Sequence, residues 1–317
     1  MKPRRLFAVL LFGLLLSTCT PQPVLPEEVP EGPPVGKRYY ADPAPLGERS
    51  LWDRVDEAQH LYQVHVLYVT LSDSIDYQRD LDGRINASLL STNAWLAAQT
   101  GGSQLRFDTF QGELDITYVQ LEQTSVEFVQ QTEANFGSAT KIRANLEINL
   151  ERLGLLDPGK LYLALFEINQ HPLTCAEGAH PPDVLGRVAA LYPSALLDGG
   201  YYCGTEHFSD QLTFTDFGAL HEILHTLGFA SACGANSASR QNSAHTGDDT
   251  RDLMWGQAPH DRRAWDTANM LLDPGHDDYF ALDDPDCLDL ARSAFLDPLP
   301  VNAQLPPDWP EEWILKR

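Results

Sequence analysis

Two stretches of the chain, 62–71 and 160–168, are almost continuously apolar and rich in β-branched and aromatic residues. Such runs are typical of strands that are covered on both faces of a sheet. Apolar residues recur at helical spacing over 86–99 and over 126–155, with an interruption near Gly137. The shorter patterns predict strands at 105–110, 113–121 and 187–192, the last as an edge strand. This order of strand, helix, strands, helix and strand predicts an α+β (α/β-like) domain.

The segment 217–229 reads F-G-A-L-H-E-I-L-H-T-L-G-F and has an apolar and a polar side at helical spacing. The apolar side comprises Leu220, Ile223, Leu224 and Leu227. Thr213 with Asp216 three residues later resembles a capping box, and Gly228 suits a helix end. The segment therefore predicts a helix over about 215–228.

The polar side of this predicted helix carries His221, Glu222 and His225. Residues four apart lie one above the other on a helix, so the two imidazoles can bind one metal ion with Glu222 beside them. Two neutral imidazoles and a third protein ligand leave one zinc position open for water, and a neighbouring carboxylate can take its proton. The spacing predicts a zinc site that activates water, and the alternative is a chance match on a buried helix.

The helix motif and the residues after it resemble the metzincin metalloproteases. The similar group is secreted and bacterial, with H-E-x-x-H-x-x-G, a loop insertion, a later histidine and a D-L-M turn. The usual third histidine of metzincins falls at Ser231 in this chain, and a serine hydroxyl is a poor zinc ligand. The resemblance implies His245, which follows a small polar loop, as the third ligand. It also implies Met254 as the Met-turn residue.

Other residues are open alternatives for the third ligand. Asp248 or Asp249 would give an Asp-terminated zincin site, and His260 and His276 could also reach the metal. The histidines interpreted as core, loop or cleft residues without metal are His65, His180 and His207.

The resemblance also implies a fold and an activity. The fold is a metzincin-like zincin fold with a twisted mixed sheet, two long helices, an active-site helix and disulfide-stabilised loops. The activity is that of a zinc endopeptidase with one catalytic zinc ion (Zn2+), acting on extracellular proteins or peptides. Glu222 would be the general base on the zinc-activated water. The sequence does not identify a second oxyanion donor, for which Tyr279 is a candidate. The alternative function is a catalytically inactive surface-binding lipoprotein that keeps the metal for stability.

The N-terminus has the pattern of an export signal, with three basic residues before an apolar run at 6–16 that is too short to span a membrane. The following L-S-T-C resembles a lipobox and predicts lipidation of Cys19. The predicted divisions are a lipoprotein signal peptide at 1–18, a proline-rich tether at 19–48 and a catalytic domain at 49–317, whose C-terminal part is 229–317. The protein is expected to be exported, as a lipid-anchored cell-envelope lipoprotein or a secreted protein.

Four cysteines remain after Cys19, an even number that favours two disulfides in an exported chain. Three pairings are possible, and the favoured one joins Cys175 to Cys203 and Cys233 to Cys287 because the first two are near neighbours in sequence.

The net charge of the chain limits the classes of molecule that it can bind. Removal of 1–18 would leave 19 basic against 45 acidic residues, a net charge of −26. Such a field disfavours nucleic acid. Some carboxylates could instead bind calcium (Ca2+). The sequence contains no signal for the oligomeric state.

Overall fold

The computed structural model has a mixed α+β architecture around one five-stranded sheet. The residues it describes are 46–54, 58, 60–168, 174–197, 201–203, 212–230, 233–238, 244–256, 267–284, 286–307 and 309. All of them belong to a compact unit that begins at residue 31. The helices are α1 (Arg84–Thr100), α2 (Ser125–Phe136), α3 (Ile142–Arg152) and α4 (Phe214–Thr226). The strands are β1 (Gln63–Thr70), β2 (Gln104–Leu105), β3 (Thr109–Phe110), β4 (Glu113–Leu114), β5 (Ile116–Gln120), β6 (Lys160–Glu167), β7 (Ala176–Glu177), β8 (Val188–Leu191), β9 (Leu196–Leu197), β10 (Tyr201–Tyr202) and β11 (Leu296–Asp297).

The central sheet is twisted and mixed, with the strand order β5, β1, β6, β8, β7. Strands β5, β1, β6 and β8 are parallel, and β7 pairs antiparallel to β8 at one edge. The register places Val66 of β1 between Ile116 of β5 and Leu163 of β6. The two nearly continuous apolar runs of the sequence therefore form the paired central strands, as predicted.

Both faces of the sheet are covered by helices, which explains why β1 and β6 alternate so little in polarity. Val66 and Tyr68 pack in the core cluster that includes residues of α1 and α4. Leu67 and Val69 point to the opposite face and pack in the cluster that includes residues of α2 and α3. Successive side chains on a strand face opposite sides, so one strand contributes to both cores.

The helical tract predicted at 126–155 is two helices rather than one. Helix α2 ends at Gly137, which has φ 66° and accepts the left-handed conformation that ends many helices. Helix α3 begins five residues later and packs against α2. Gly137 is thus the break that the sequence predicts.

The edge of the sheet lies at a different strand from the predicted one. The segment 187–192 contains β8, but β8 is paired on both sides, by β6 and by β7. The outer strand on this side of the sheet is β7. It is only two residues long, so its pattern is too short to be recognised in the sequence. The prediction of an edge strand at 187–192 is therefore wrong.

The two disulfides have the predicted pairing. Cys175 is bonded to Cys203, and Cys233 to Cys287, at sequence separations of 28 and 54 residues. In the chain-entropy account, loops of this length contribute about 3–4 kcal/mol of stability each. The Cys175–Cys203 bond joins the residue before β7 to the residue after β10. The Cys233–Cys287 bond joins two loops that follow α4 in the chain.

The predicted signal peptide, Cys19 and nearly all of the tether lie outside the described residues. Among the residues that are described, no helix combines the length and hydropathy needed to cross a membrane.

Candidate metal centre

Helix α4 begins and ends within about two residues of the predicted positions. Its backbone groups are capped at both ends. The Asp216 carboxylate accepts hydrogen bonds from the Thr213 backbone N–H at 2.7 Å and from the Thr213 hydroxyl at 2.8 Å. At the other end, the Gly228 N–H donates to the His225 carbonyl at 2.9 Å, and the next N–H donates to the Leu224 carbonyl at 3.0 Å. These two bonds form a Schellman motif, which ends the helix sharply.

The polar side of α4 is enclosed within the protein. His221, Glu222 and His225 are only 6%, 9% and 5% exposed. On the apolar side, Phe217 packs edge-on against Trp95 of α1, with ring centroids 5.0 Å apart. Aromatic packing of this kind fixes the rotation of α4, so the polar side faces the loop that follows the helix.

Three imidazoles meet at this point. One nitrogen atom each of His221, His225 and His245 lies within 4.8 Å of the other two. The Nε2 atoms of His225 and His245 are 3.1 Å apart. The three pairs of ring centroids are 4.4, 4.5 and 5.2 Å apart. The structure therefore brings together the three residues predicted as zinc ligands.

The backbone next to Met254 orients His221. The His221 Nδ1 lies 2.7 Å from the carbonyl oxygen of Leu253, which assigns Nδ1 as the protonated donor and Nε2 as the lone-pair nitrogen. Met254 follows directly and is fully buried. The Thr246 N–H donates to the Met254 carbonyl at 2.9 Å. This bond ties the segment that carries His245 to the predicted Met-turn.

Gly256 supports His245 from the other side. A Cβ atom at residue 256 would lie 2.3 Å from both Cβ and Cγ of His245, which is too close for any side chain. The His245 side chain therefore packs directly against the backbone of Gly256.

The donor set fits zinc in geometry. Two nitrogens at 2.0–2.1 Å from a tetrahedral zinc ion are about 3.3–3.4 Å apart, close to the 3.1 Å between the Nε2 atoms of His225 and His245. Each of these two rings also has a buried Nδ1 without a hydrogen-bond partner among the described residues.

The electrostatics of the site favour neutral imidazoles. Burial lowers the pKa of His221 to about 4. Burial, assisted by His221 and His180, lowers the pKa of His245 to about 3. Burial and the neighbouring histidines hold the pKa of His225 well below its usual range. The neutral ring is the form that binds metal. The lowered pKa values therefore keep the three imidazoles in the form that can bind a metal ion.

Glu222 lies beside the imidazoles under the sheet edge. Burial, with a smaller contribution from Glu177, raises the pKa of its carboxyl to about 8, and the Gly178 N–H hydrogen bond opposes the shift. A Cβ atom at residue 178 would lie 2.8 Å from the Glu222 carbonyl oxygen and 2.7 Å from the His225 Cβ. The chain that leaves β7 is therefore in direct contact with this side of α4.

The alternative third ligands occupy other places. Asp249 forms an ion pair with Arg251 at 2.5 Å. Asp248 belongs to a separate group of carboxylates. The His276 ring packs against Phe280 at a centroid distance of 5.4 Å. Ser231, His207 and His260 lie outside the described residues.

Tyr279 is not placed to stabilise an oxyanion. It is fully buried, its hydroxyl donates to Asp252 at 2.7 Å, and the same oxygen accepts the Asp273 N–H at 3.0 Å. Both hydrogen-bonding roles of the hydroxyl are used inside the loop.

His65 is a core residue, as predicted. It is fully buried, with Nδ1 2.6 Å from Asp108 and Nε2 2.9 Å from Thr117. The Lys160 ammonium lies 2.7 Å from Asp108 and 2.6 Å from Asp53. Lys160 therefore pairs with two of the carboxylates near His65, and these residues form an internal ion network.

Several contributors to the centre have no sequence signal. They are the Leu253 carbonyl, the Gly178 N–H, the Gly256 backbone and Glu177, whose carboxylate accepts hydrogen bonds from the Arg143 N–H and the Tyr192 hydroxyl. Every residue except proline has a backbone donor and an acceptor, so residue type does not reveal which backbone groups face a site.

No protein-family model matches the chain, and no curated protein is similar to it in sequence. Among solved structures, it is similar to a crystal structure of catalytically inactive OgpA from Akkermansia muciniphila in complex with an O-glycopeptide substrate, glycodrosocin. The identity is 15% and the TM-score 0.39, over 74% of this chain and 62% of OgpA. The chain thus spans less than two thirds of that protein's length.

Proposed function

We propose that the protein is a zinc-dependent endopeptidase, with zinc held by His221, His225 and His245. The observation that supports this is the convergence of three neutral imidazoles next to the buried carboxylate of Glu222. A structural zinc site uses four protein ligands, whereas a catalytic site uses three and keeps one position open. A buried carboxylate beside three such ligands fits the catalytic type.

Zinc, when bound, supplies Lewis-acid chemistry that polarises a carbonyl group and makes water nucleophilic at neutral pH. A zinc ion bound beside Glu222 would favour its carboxylate form and so oppose the effect of burial on its pKa. Glu222 would then accept the proton of the attacking water and pass it to the leaving amine as the peptide C–N bond breaks. The Gly178 N–H holds the Glu222 carboxylate at one position for both transfers. Leu253 keeps His221 in the tautomer whose Nε2 can bind metal.

The sheet edge is the proposed place for the substrate. Strand β7 is one of the two edge strands of the sheet, and an extended peptide can add to such an edge through backbone hydrogen bonds. The chain runs from β7 directly to Gly178, which touches Glu222. A peptide along β7 would therefore pass close to the general base. A protein or peptide substrate follows from this arrangement.

The test compares the wild-type protein with Glu222→Gln. We expect one zinc per chain in both, because Glu222 is not assigned as a ligand, and cleavage of an unstructured casein-like protein by the wild type alone. Loss of a general base typically lowers the rate by about 10²–10⁴-fold. Zinc is measured by mass spectrometry and cleavage by the release of new peptide ends.

Two outcomes would contradict the proposal. Equal cleavage by Glu222→Gln would remove the assigned base. A wild type that holds one zinc but cleaves neither the unstructured protein nor a diverse peptide library would favour the metal-stabilised surface-binding protein.

We also propose that the enzyme works outside the cell, on a lipid tether at Cys19. The support is the charged and apolar N-terminus followed by the lipobox-like L-S-T-C and a proline-rich segment.

A further inference from the structure

A second group of oxygen donors lies in the loops behind His245. Asp248, Asp252 and Asp278 each place a carboxylate oxygen within 4.8 Å of the other two. Oxygens that share one calcium ion at 2.3–2.6 Å are up to about 5 Å apart. The spacing therefore suits a single cation between the three carboxylates.

Two buried oxygen atoms at this group form no well-aligned hydrogen bond with any residue that the structure describes. Asp252 is fully buried, and its Oδ1 accepts the Met254 N–H and the Tyr279 hydroxyl, each at 2.7 Å. Its Oδ2 has no hydrogen-bond partner among the described residues. The hydroxyl of Thr246, only 1% exposed, interacts with this carboxylate, but its contacts with the described residues do not reach full hydrogen-bond geometry. Buried polar atoms are rarely left in this state, so both atoms indicate a ligand.

Among the described residues, no basic side chain neutralises the negative charges of the group. The nearby Arg251 pairs with Asp249. No lysine or arginine within the described ranges forms an ion pair with Asp248, Asp252 or Asp278. Because like charges at this spacing repel, a bound cation would stabilise the arrangement.

The neighbouring Asp273 has a different role. Its Oδ2 accepts the backbone N–H groups of Tyr279 and Phe280 at 2.8 and 2.7 Å. Asp273 therefore shapes the turn that presents Asp278. The Asp278 carboxylate is held in turn by the Asn236 N–H at 2.6 Å.

We propose that Asp248, Asp252 and Asp278, with the Thr246 hydroxyl, bind a calcium ion. All of the donors are oxygens, which hard cations prefer, whereas zinc favours the nitrogen donors of the histidine centre. The group lies on irregular loops that can adopt the variable geometry of calcium. Asp248 is exposed and gives the ion a route from solvent.

This cation would stabilise the histidine centre through adjacent residues. Thr246 follows His245, and Asp252 precedes Leu253, whose carbonyl orients His221. Binding between Thr246 and Asp252 would hold both segments in place. The coupling to zinc rests on the proposed function, but the calcium site itself does not.

The test measures thermal unfolding of the purified protein in ~10 mM CaCl2 and in NaCl of equal ionic strength. With a Kd of about 0.1–1 mM, as in extracellular calcium modules, we expect CaCl2 to raise Tm by roughly 2–5 °C. Asp248→Asn, at an exposed position that should not affect folding, is expected to weaken calcium binding about tenfold. Asp252→Asn should abolish the shift, whereas the matched control Asp249→Asn should keep it.

Three outcomes would overturn the calcium site. They are an equal shift in NaCl, no shift in a folded wild type, and a loss in Asp249→Asn as large as in Asp248→Asn. Zinc retention during dialysis, with and without CaCl2, then tests the coupling, and equal retention would refute it. A wild type that binds no zinc but shows the calcium shift would contradict the endopeptidase and leave the calcium site standing.

Discussion

The proposed metal centre would depend most on His245, because helix α4 carries only two of the three proposed ligands. We predict that His245→Ala loses zinc as His221→Ala does. Removal of a ligand should cost more than the 10- to 100-fold in metal affinity that is typical when a supporting contact is lost. Zinc titration of the variants at one pH measures this, since protonation of the ligands competes with the metal.

The matched control for His245 is His276→Ala, which removes an imidazole that packs against Phe280 away from the centre. It should keep its zinc. Full zinc retention by His245→Ala, together with loss in Asp248→Asn or Asp249→Asn, would refute the assignment and favour an Asp-terminated site.

At the scale of elements, the edge of the sheet contacts helix α4 through Gly178, the residue that follows β7. We predict that Gly178→Ala disrupts it, because the added Cβ would lie 2.7 Å from the His225 Cβ and 2.8 Å from the Glu222 carbonyl oxygen. Overpacking of this kind typically costs about 1–3 kcal/mol. Urea unfolding should show this loss of stability, and cleavage should fall with it because Glu222 moves.

Gly218→Ala is the control for this element. It adds the same methyl group within α4, where the nearest heavy atom, of Leu191, would be 4.0 Å away. Replacing a glycine in a helix by alanine should raise stability by up to about 1 kcal/mol. If both variants lost the same stability, the contact between β7 and α4 would not be the cause.

At the scale of the whole molecule, the proposed tether would decide where the proposed peptidase works. We predict that Cys19→Ala moves the protein from the membrane fraction to the soluble fraction, or blocks its processing, because lipid attachment needs the thiol. Fractionation of expressing cells, with immunodetection, measures the distribution. Ser17→Ala, which keeps the cysteine, is the control, and unchanged membrane partition of Cys19→Ala would contradict the tether.

Local patterns in the sequence were sufficient for the strongest elements. The apolar runs predict β1 and β6, because a strand buried on both faces needs apolar residues at nearly every position. The H-E-x-x-H spacing and the capping residues predict α4 and two of the three converging imidazoles, since a helix brings residues four apart together. The pairing of the cysteines also agrees with their order along the chain.

Only the tertiary structure decided which distant segments meet these elements. It placed β7 rather than β8 at the sheet edge, Gly178 against Glu222, the Leu253 carbonyl on His221, and β2 beside β11. These contacts involve backbone groups, which residue type does not distinguish, or segments far apart in the chain. Their formation depends on how the whole core packs, whereas sequence periodicity reflects only interactions between near neighbours.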